Sequence, residues 1–128
     1  MSKGVTYDTG ALIAAEKNDR AMWILHAGYV ALEIVPTVPA PVLAEAWRGG
    51  SRQASLARFL EGCAIEDLTE QSAKRVGQLA GKAKHSDIVD VAVVEGALRR
   101  SDLIVTSNPT HIDKIAQGAG RPVTAFTV

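Results

Sequence analysis

Three carboxylates stand out by their surroundings. Asp8 closes Gly4-Val5-Thr6-Tyr7-Asp8, which reads as a short strand. Glu45 interrupts an apolar helical stretch, Val42 to Trp47. Asp90 lies inside Ile88-Val89-Asp90-Val91-Ala92-Val93-Val94, with Val94 and Ala97 on its own helical face. A carboxylate on a buried face costs several kcal/mol unless it is paired, protonated or set against a cation. Asp87 precedes Asp90 by one turn and adds a further acidic position. Each also has a plainer use. Asp8 fits a helix cap, Asp87 a favourable first-turn charge, Glu45 an exposed helix position, and Asp90 a partner for an arginine or a loop.

Together, one strand-end aspartate and carboxylates on two helices suit a hard divalent cation, magnesium or manganese, through oxygen ligands. Such an ion acidifies water for attack on a phosphodiester, and a second ion about 4 Å away can steady the leaving oxygen. Paired carboxylates also serve glycosidases. A small chain with 5% aromatic residues has little to stack on sugar.

The elements that must position these groups alternate between strand and helix. After the first strand come helices through Ala11-Leu12-Ile13-Ala14 and over Arg20 to Ala27. Leu32 to Thr37 reads as the second strand. Pro39 and Pro41 lead into the Glu45 helix, which Gly49-Gly50 stops. Ser51 caps a helix through Leu56 and Phe59, Ala64 to Leu68 is a short strand, and Thr69 caps the next helix. Ser86 caps Asp87 to Arg100. Leu103-Ile104-Val105-Thr106 is a β-branched apolar strand, Asn108-Pro109 starts a helix, and Val123 to Val128 is a last strand. This alternation predicts an α/β fold: a three-layer α/β/α sandwich around a mostly parallel sheet. Ligands of such sheets gather at the carboxyl ends of the strands, where Asp8 and Asn108 fall.

The 128 residues suit one domain spanning 1–128. Formal charge is zero, with 14 basic and 14 acidic side chains, which argues against coating nucleic acid by bulk charge. The core is expected to be aliphatic. One cysteine, Cys63, excludes an internal disulfide and reads as a small buried hydrophobe. A cytoplasmic protein fits, with neither signal peptide nor membrane span in the pattern.

Four segments resemble the motifs of the PIN-domain family, in its VapC-like toxins. Val5-Thr6-Tyr7-Asp8-Thr9-Gly10-Ala11-Leu12-Ile13 is similar to the first, and Pro41-Val42-Leu43-Ala44-Glu45 to the second. Ser86 to Ala97 is similar to the third, and Ile104-Val105-Thr106-Ser107-Asn108-Pro109 to the fourth. They occur in the family's order across nearly the whole chain. The resemblance implies a PIN-like fold, a Mg2+-dependent endoribonuclease in which Mn2+ substitutes, and metal ligation by Asp8, Glu45 and Asp90, with Asp87 and Asn108 as further catalytic candidates. It also implies a VapB-like antitoxin partner and a homodimer. The sequence departs from the pattern at Asn108, where the family often has an aspartate, there or three residues on at His111.

Other residues suggest accessory roles. Thr9 and Ser107 could hydrogen-bond phosphate or water, and His85 and His111 could meet phosphate or act as general acids. Arg48, Arg52, Lys82 and Lys84 are candidates for RNA backbone contact. Trp47 and Phe59 are candidates for an antitoxin groove or for core. Two other functions compete: a catalytically weakened module that grips RNA or a partner, and a structure-specific DNA nuclease. The latter lacks a strongly basic face for duplex.

Overall fold

The computed structural model describes residues 4–128. Five strands, β1 (Val5–Tyr7), β2 (Thr37–Pro39), β3 (Ala64–Glu66), β4 (Leu103–Thr106) and β5 (Ala125–Thr127), form one sheet in the order β3-β2-β1-β4-β5. Every pairing is parallel. Helices α1 (Thr9–Glu16), α2 (Arg20–Ala31), α3 (Ala40–Ala46), α4 (Ala54–Leu60), α5 (Glu70–Ala83), α6 (Ile88–Arg100) and α7 (Pro109–Ala119) make the crossovers. Around the sheet, α1 packs with α2, α3 and α4, while α5, α6 and α7 pack on one another. The result is the expected three-layer α/β/α sandwich.

Burial explains the strand composition. The central strand β1 is buried at all three positions, and β4 at three of its four. Such strands need apolar or paired side chains on both faces. Edge strands β3 and β5 are mostly exposed, and Phe126 is a surface residue.

Strand order also locates the crevice. The chain steps outward from β1 through β2 to β3, then returns across the sheet to β4 on the other side of β1. The winding reverses between β1 and β4, so the gap at their carboxyl ends is the topological switch point. Tyr7 pairs with Val105, which brings Asp8 and Thr106 side by side at that gap.

The core is not purely aliphatic. Buried Phe59 stacks on His26 at 4.0 Å and meets Tyr7 and Trp23 at 5.3 Å each. Tyr7 is fully buried, and its hydroxyl lies 2.8 Å from His26 Nδ1. Cys63 is partly buried, its thiol pushed up to about 12 by desolvation. Arg100, the last residue of α6, ties the helical layer to the sheet. It donates to Asp102 (2.9 Å), Thr6 (2.9 Å) and Glu66 (2.6 Å), while Thr6 donates to Asp102 at 2.7 Å.

Some boundaries differ from the sequence reading. The second strand begins at Thr37, not Leu32: Leu32 closes α2, and Glu33 turns the chain at φ 59°. The cap of α6 is Asp87 rather than Ser86, because its carboxylate accepts the N–H groups of Val89 (3.1 Å) and Asp90 (3.3 Å).

Candidate metal and phosphodiester site

Asp8 follows β1 and caps α1. Its Oδ1 accepts the Thr9 N–H at 2.7 Å, and its Oδ2 accepts the Thr106 hydroxyl at 2.7 Å. Only 4% of the residue is exposed. Burial raises its pKa above the ordinary carboxylate value, and the Thr106 and Thr9 bonds oppose that rise. The charges of Asp90 and Glu45 raise it further, so both carboxylates act on Asp8 through space.

Asp90 occupies the first turn of α6, whose next four residues are buried in the core. Its side chain is 16% exposed. Burial again raises the pKa, Asp87 adds to the rise, and His111 and His85 lower it. Asp90 Oδ2 lies 3.3 Å from His111 Nδ1 and 3.7 Å from His85 Nε2. Glu45 is the penultimate residue of α3 and is exposed. The packing of α3 against both α1 and α6 holds it at the same rim.

Asn108 caps α7. Its Oδ1 accepts the His111 N–H at 3.4 Å, and its Nδ2 lies 3.0 Å from His111 Nδ1. Thr106 fixes this turn too, since its hydroxyl oxygen accepts the Asn108 N–H at 2.9 Å. Gly10 is required by the approach of α1 to the loop after β4: a Cβ there would overlap the Ser107 side chain.

Of the accessory candidates, Thr9 has a buried hydroxyl with no hydrogen-bond partner. Ser107 is exposed. Arg48 turns back on its own chain, donating to the Trp47 carbonyl at 2.7 Å and the Ala44 carbonyl at 3.2 Å, so it closes α3. Arg52, Lys82 and Lys84 are exposed. Phe59 is core, whereas Trp47 is 41% exposed, so the pair forms no shared groove.

Asp90 and Glu45 thus lie near enough for their charges to act on Asp8 at the carboxyl edge of the sheet, and Asp87 caps the helix that carries Asp90. Two features escaped sequence reading. Thr106 holds the Asp8 carboxylate, a contact spanning 98 positions. His85, Asp90 and His111 offer one ligand atom each, all within 4.8 Å of one another, and Asp8 and Glu45 lie outside that group.

No helix among the described residues is long and apolar enough to cross a membrane. The sequence matches no family model and no curated protein. Among solved structures, it is similar to a chain in the crystal structure of VapBC2 from Rickettsia felis bound to a DNA fragment from their promoter. Identity is 16% and the TM-score 0.71, over 97% of this chain and 98% of that one. It is also similar to a chain of FitAB bound to an IR36 DNA fragment, with 16% identity and a TM-score of 0.62, over 96% and 94% of the two chains. The likeness establishes the architecture: the chain has the PIN-like α/β/α fold that its four sequence motifs imply.

Proposed function

We propose that this protein is a metal-dependent endoribonuclease toxin of the VapC-like kind. The observation that carries the reading is Asp8: a nearly buried carboxylate at the switch point, with the charges of Asp90 and Glu45 acting on it. Three anions gathered this way are mutually unfavourable, and a divalent cation offsets the cost. Asp8, Asp90 and Glu45 would hold Mg2+, with Mn2+ substituting, since their donors are all oxygen. The ion supplies Lewis acidity toward water and neutralises phosphate charge.

The chain's own groups do the positioning. Thr106 and the Thr9 N–H fix both Asp8 oxygens, leaving one lone-pair direction on each for a cation. Asp87 orders the first turn of α6 and so aims Asp90. Exposed Arg52, Lys82 and Lys84 are available to RNA phosphates. Single-stranded loops suit the crevice, because their backbone bends into it.

A VapB-like antitoxin would silence the site, with an arginine among the carboxylates as the fitting contact. Ile24, Val30, Leu32 and Val35 are exposed on and just after α2, and supply apolar surface for that partner or for a homodimer. The reading places the protein in the cytoplasm with its RNA.

The test is cleavage of total RNA and short single strands by protein free of any partner, with Mg2+, Mn2+ or chelator. Discrete cation-dependent cuts, lost in Asp8→Ala and Asp90→Ala, support it. Full activity in either variant overturns the assigned ligands. One observation favours a second reading, a binding module of weakened activity: Asn108 is committed to capping α7. Tight RNA binding with no turnover in either metal would select it.

A further inference from the structure

We infer that His85, Asp90 and His111 form a binding site for one first-row transition-metal dication of the zinc or cobalt type. The inference goes beyond the nuclease reading: it shares Asp90 with that reading but rests on two imidazole donors the reading does not use. His85 lies in the loop between α5 and α6, Asp90 in the first turn of α6, and His111 in the first turn of α7. Three elements therefore deliver two imidazoles and a carboxylate to one point.

The distances suit a shared ion. Two ligands about 2.1 Å from one cation stand roughly 3.0–3.4 Å apart at octahedral or tetrahedral angles. Asp90 Oδ2 is 3.3 Å from His111 Nδ1 and 3.7 Å from His85 Nε2. The two histidine atoms lie within 4.8 Å of one another, so His85 must swing inward to complete the set. His85 lies in the α5–α6 loop, outside both helices, which leaves its backbone free of helical constraint.

Hydrogen bonding leaves the same three atoms unsettled. His85 Nε2 is buried and has no hydrogen-bond partner, although a carboxylate oxygen stands nearby. His111 Nδ1 has two neighbours with opposite demands. If unprotonated, it accepts from Asn108 Nδ2 at 3.0 Å and turns its lone pair toward the Asp90 oxygen at 3.3 Å. If protonated, it donates to Asp90 and opposes the amide hydrogens. A cation at the centre satisfies both nitrogen lone pairs and the carboxylate together.

The donors select the ion. Imidazole favours zinc, cobalt, nickel and iron, whereas magnesium keeps to oxygen. Three protein ligands with open positions leave room for water or a substrate oxygen. Both histidine contacts use Asp90 Oδ2, which leaves Oδ1 outside this donor set. His26, the third histidine, is engaged by Tyr7 and by the Phe59 backbone, and is no competitor.

The test uses untagged full-length protein titrated with Co2+, read by visible absorption, and with Zn2+, read by calorimetry. One tight equivalent is expected, bound at least tenfold more weakly by His85→Ala and by His111→Ala. Proton NMR of the wild type needs no variant: Zn2+ should move the imidazole signals of two histidines and leave His26 in place. Absence of binding, wild-type affinity in both histidine variants, or a shift of His26 alone overturns the site. Cleavage does not enter this readout. Loss of activity in Asp8→Ala with cobalt binding intact leaves both readings standing, whereas an inactive wild type that still binds cobalt through the histidines sinks only the nuclease.

Discussion

Thr106 Oγ1 donates a 2.7 Å hydrogen bond to Asp8 Oδ2 from the neighbouring strand. The contact exists because β1 and β4 pair with Tyr7 opposite Val105, so the next residue of each strand meets at the carboxyl edge. The same Thr106 oxygen accepts the Asn108 N–H that opens α7. One buried hydroxyl thus couples the Asp8 carboxylate to the turn that sets His111.

Thr106→Val keeps the shape and removes both bonds. A hydrogen bond to a charged buried group is worth about 1.5–3 kcal/mol, so urea unfolding should show a loss of that order. Asp8 would also lose a fixed rotamer. Partners of metal-binding carboxylates commonly affect metal affinity or activity by about 10–100-fold. RNA cleavage at limiting Mg2+ should fall within that range and recover in Thr106→Ser. Unchanged cleavage in Thr106→Val would end the positioning role.

Asp8→Asn should separate stability from activity. Burial and two neighbouring carboxylates disfavour the Asp8 charge, as its raised pKa records. Removing that charge relieves the repulsion while an amide still fills the space. In metal-free buffer at neutral pH, thermal unfolding of the variant is expected at or above the wild-type temperature, with cleavage abolished. Mg2+ should raise the midpoint of the wild type only. A midpoint well below wild type would mean that the carboxylate is held by contacts stronger than the repulsion.

How far the sequence foretold this arrangement depended on whether each signal was local. The β4 strand, the caps Asp8, Thr69 and Asn108, and the apolar setting of Asp90 all announce themselves within a few residues. The apolar run Leu32 to Thr37 misleads for the same reason. Leu32 and Val35 are 71% and 60% exposed, and the strand proper is Thr37–Pro39. An apolar run does not say whether its residues face the core or a partner. The Thr106–Asp8 bond and the convergence of His85 with His111 are tertiary, set by strand order and by the packing of α5, α6 and α7. Asp87 and Ser86 are both good caps, and only backbone geometry chooses between them.

His26 gives the protein a pH dependence of definite sign. Burial lowers its pKa below the ordinary 6.5, with the Phe59 backbone bond opposing that shift. Between the lowered folded value and 6.5 the unfolded chain binds more protons than the folded one, so stability rises with pH across that window and is flat above it for this group. The slope approaches about 1.4 kcal/mol per pH unit at most for a single proton. Urea unfolding across this range should show it, and His26→Gln should flatten it. A wild-type curve with the same slope as that of His26→Gln below 6.5 would mean that the imidazole is charged in place.

Gly118 offers a test of packing in which helix propensity and tertiary contact predict opposite signs. Glycine inside a helix is about 1 kcal/mol less favourable than alanine, so propensity alone makes Gly118→Ala stabilising. A Cβ there would stand 2.5 Å from Ala83 Cα and Cβ and 3.0 Å from Ala83 N, against backbone with nowhere to go. Relief requires α7 to move off the end of α5, and overpacking of this kind typically costs about 1–3 kcal/mol. Gly77 and Gly81 lie in α5, where an added Cβ would meet nothing within 4 Å, so alanine there should stabilise and serves as the control. The same shift would displace His111, in the first turn of α7, from His85, which follows α5. Gly118→Ala is therefore expected to unfold at lower temperature than wild type and to bind cobalt more weakly, while Gly77→Ala and Gly81→Ala unfold higher with cobalt binding intact. Stabilisation by all three would show that α5 and α7 have slack at their crossing, and that the two histidines are not held by it.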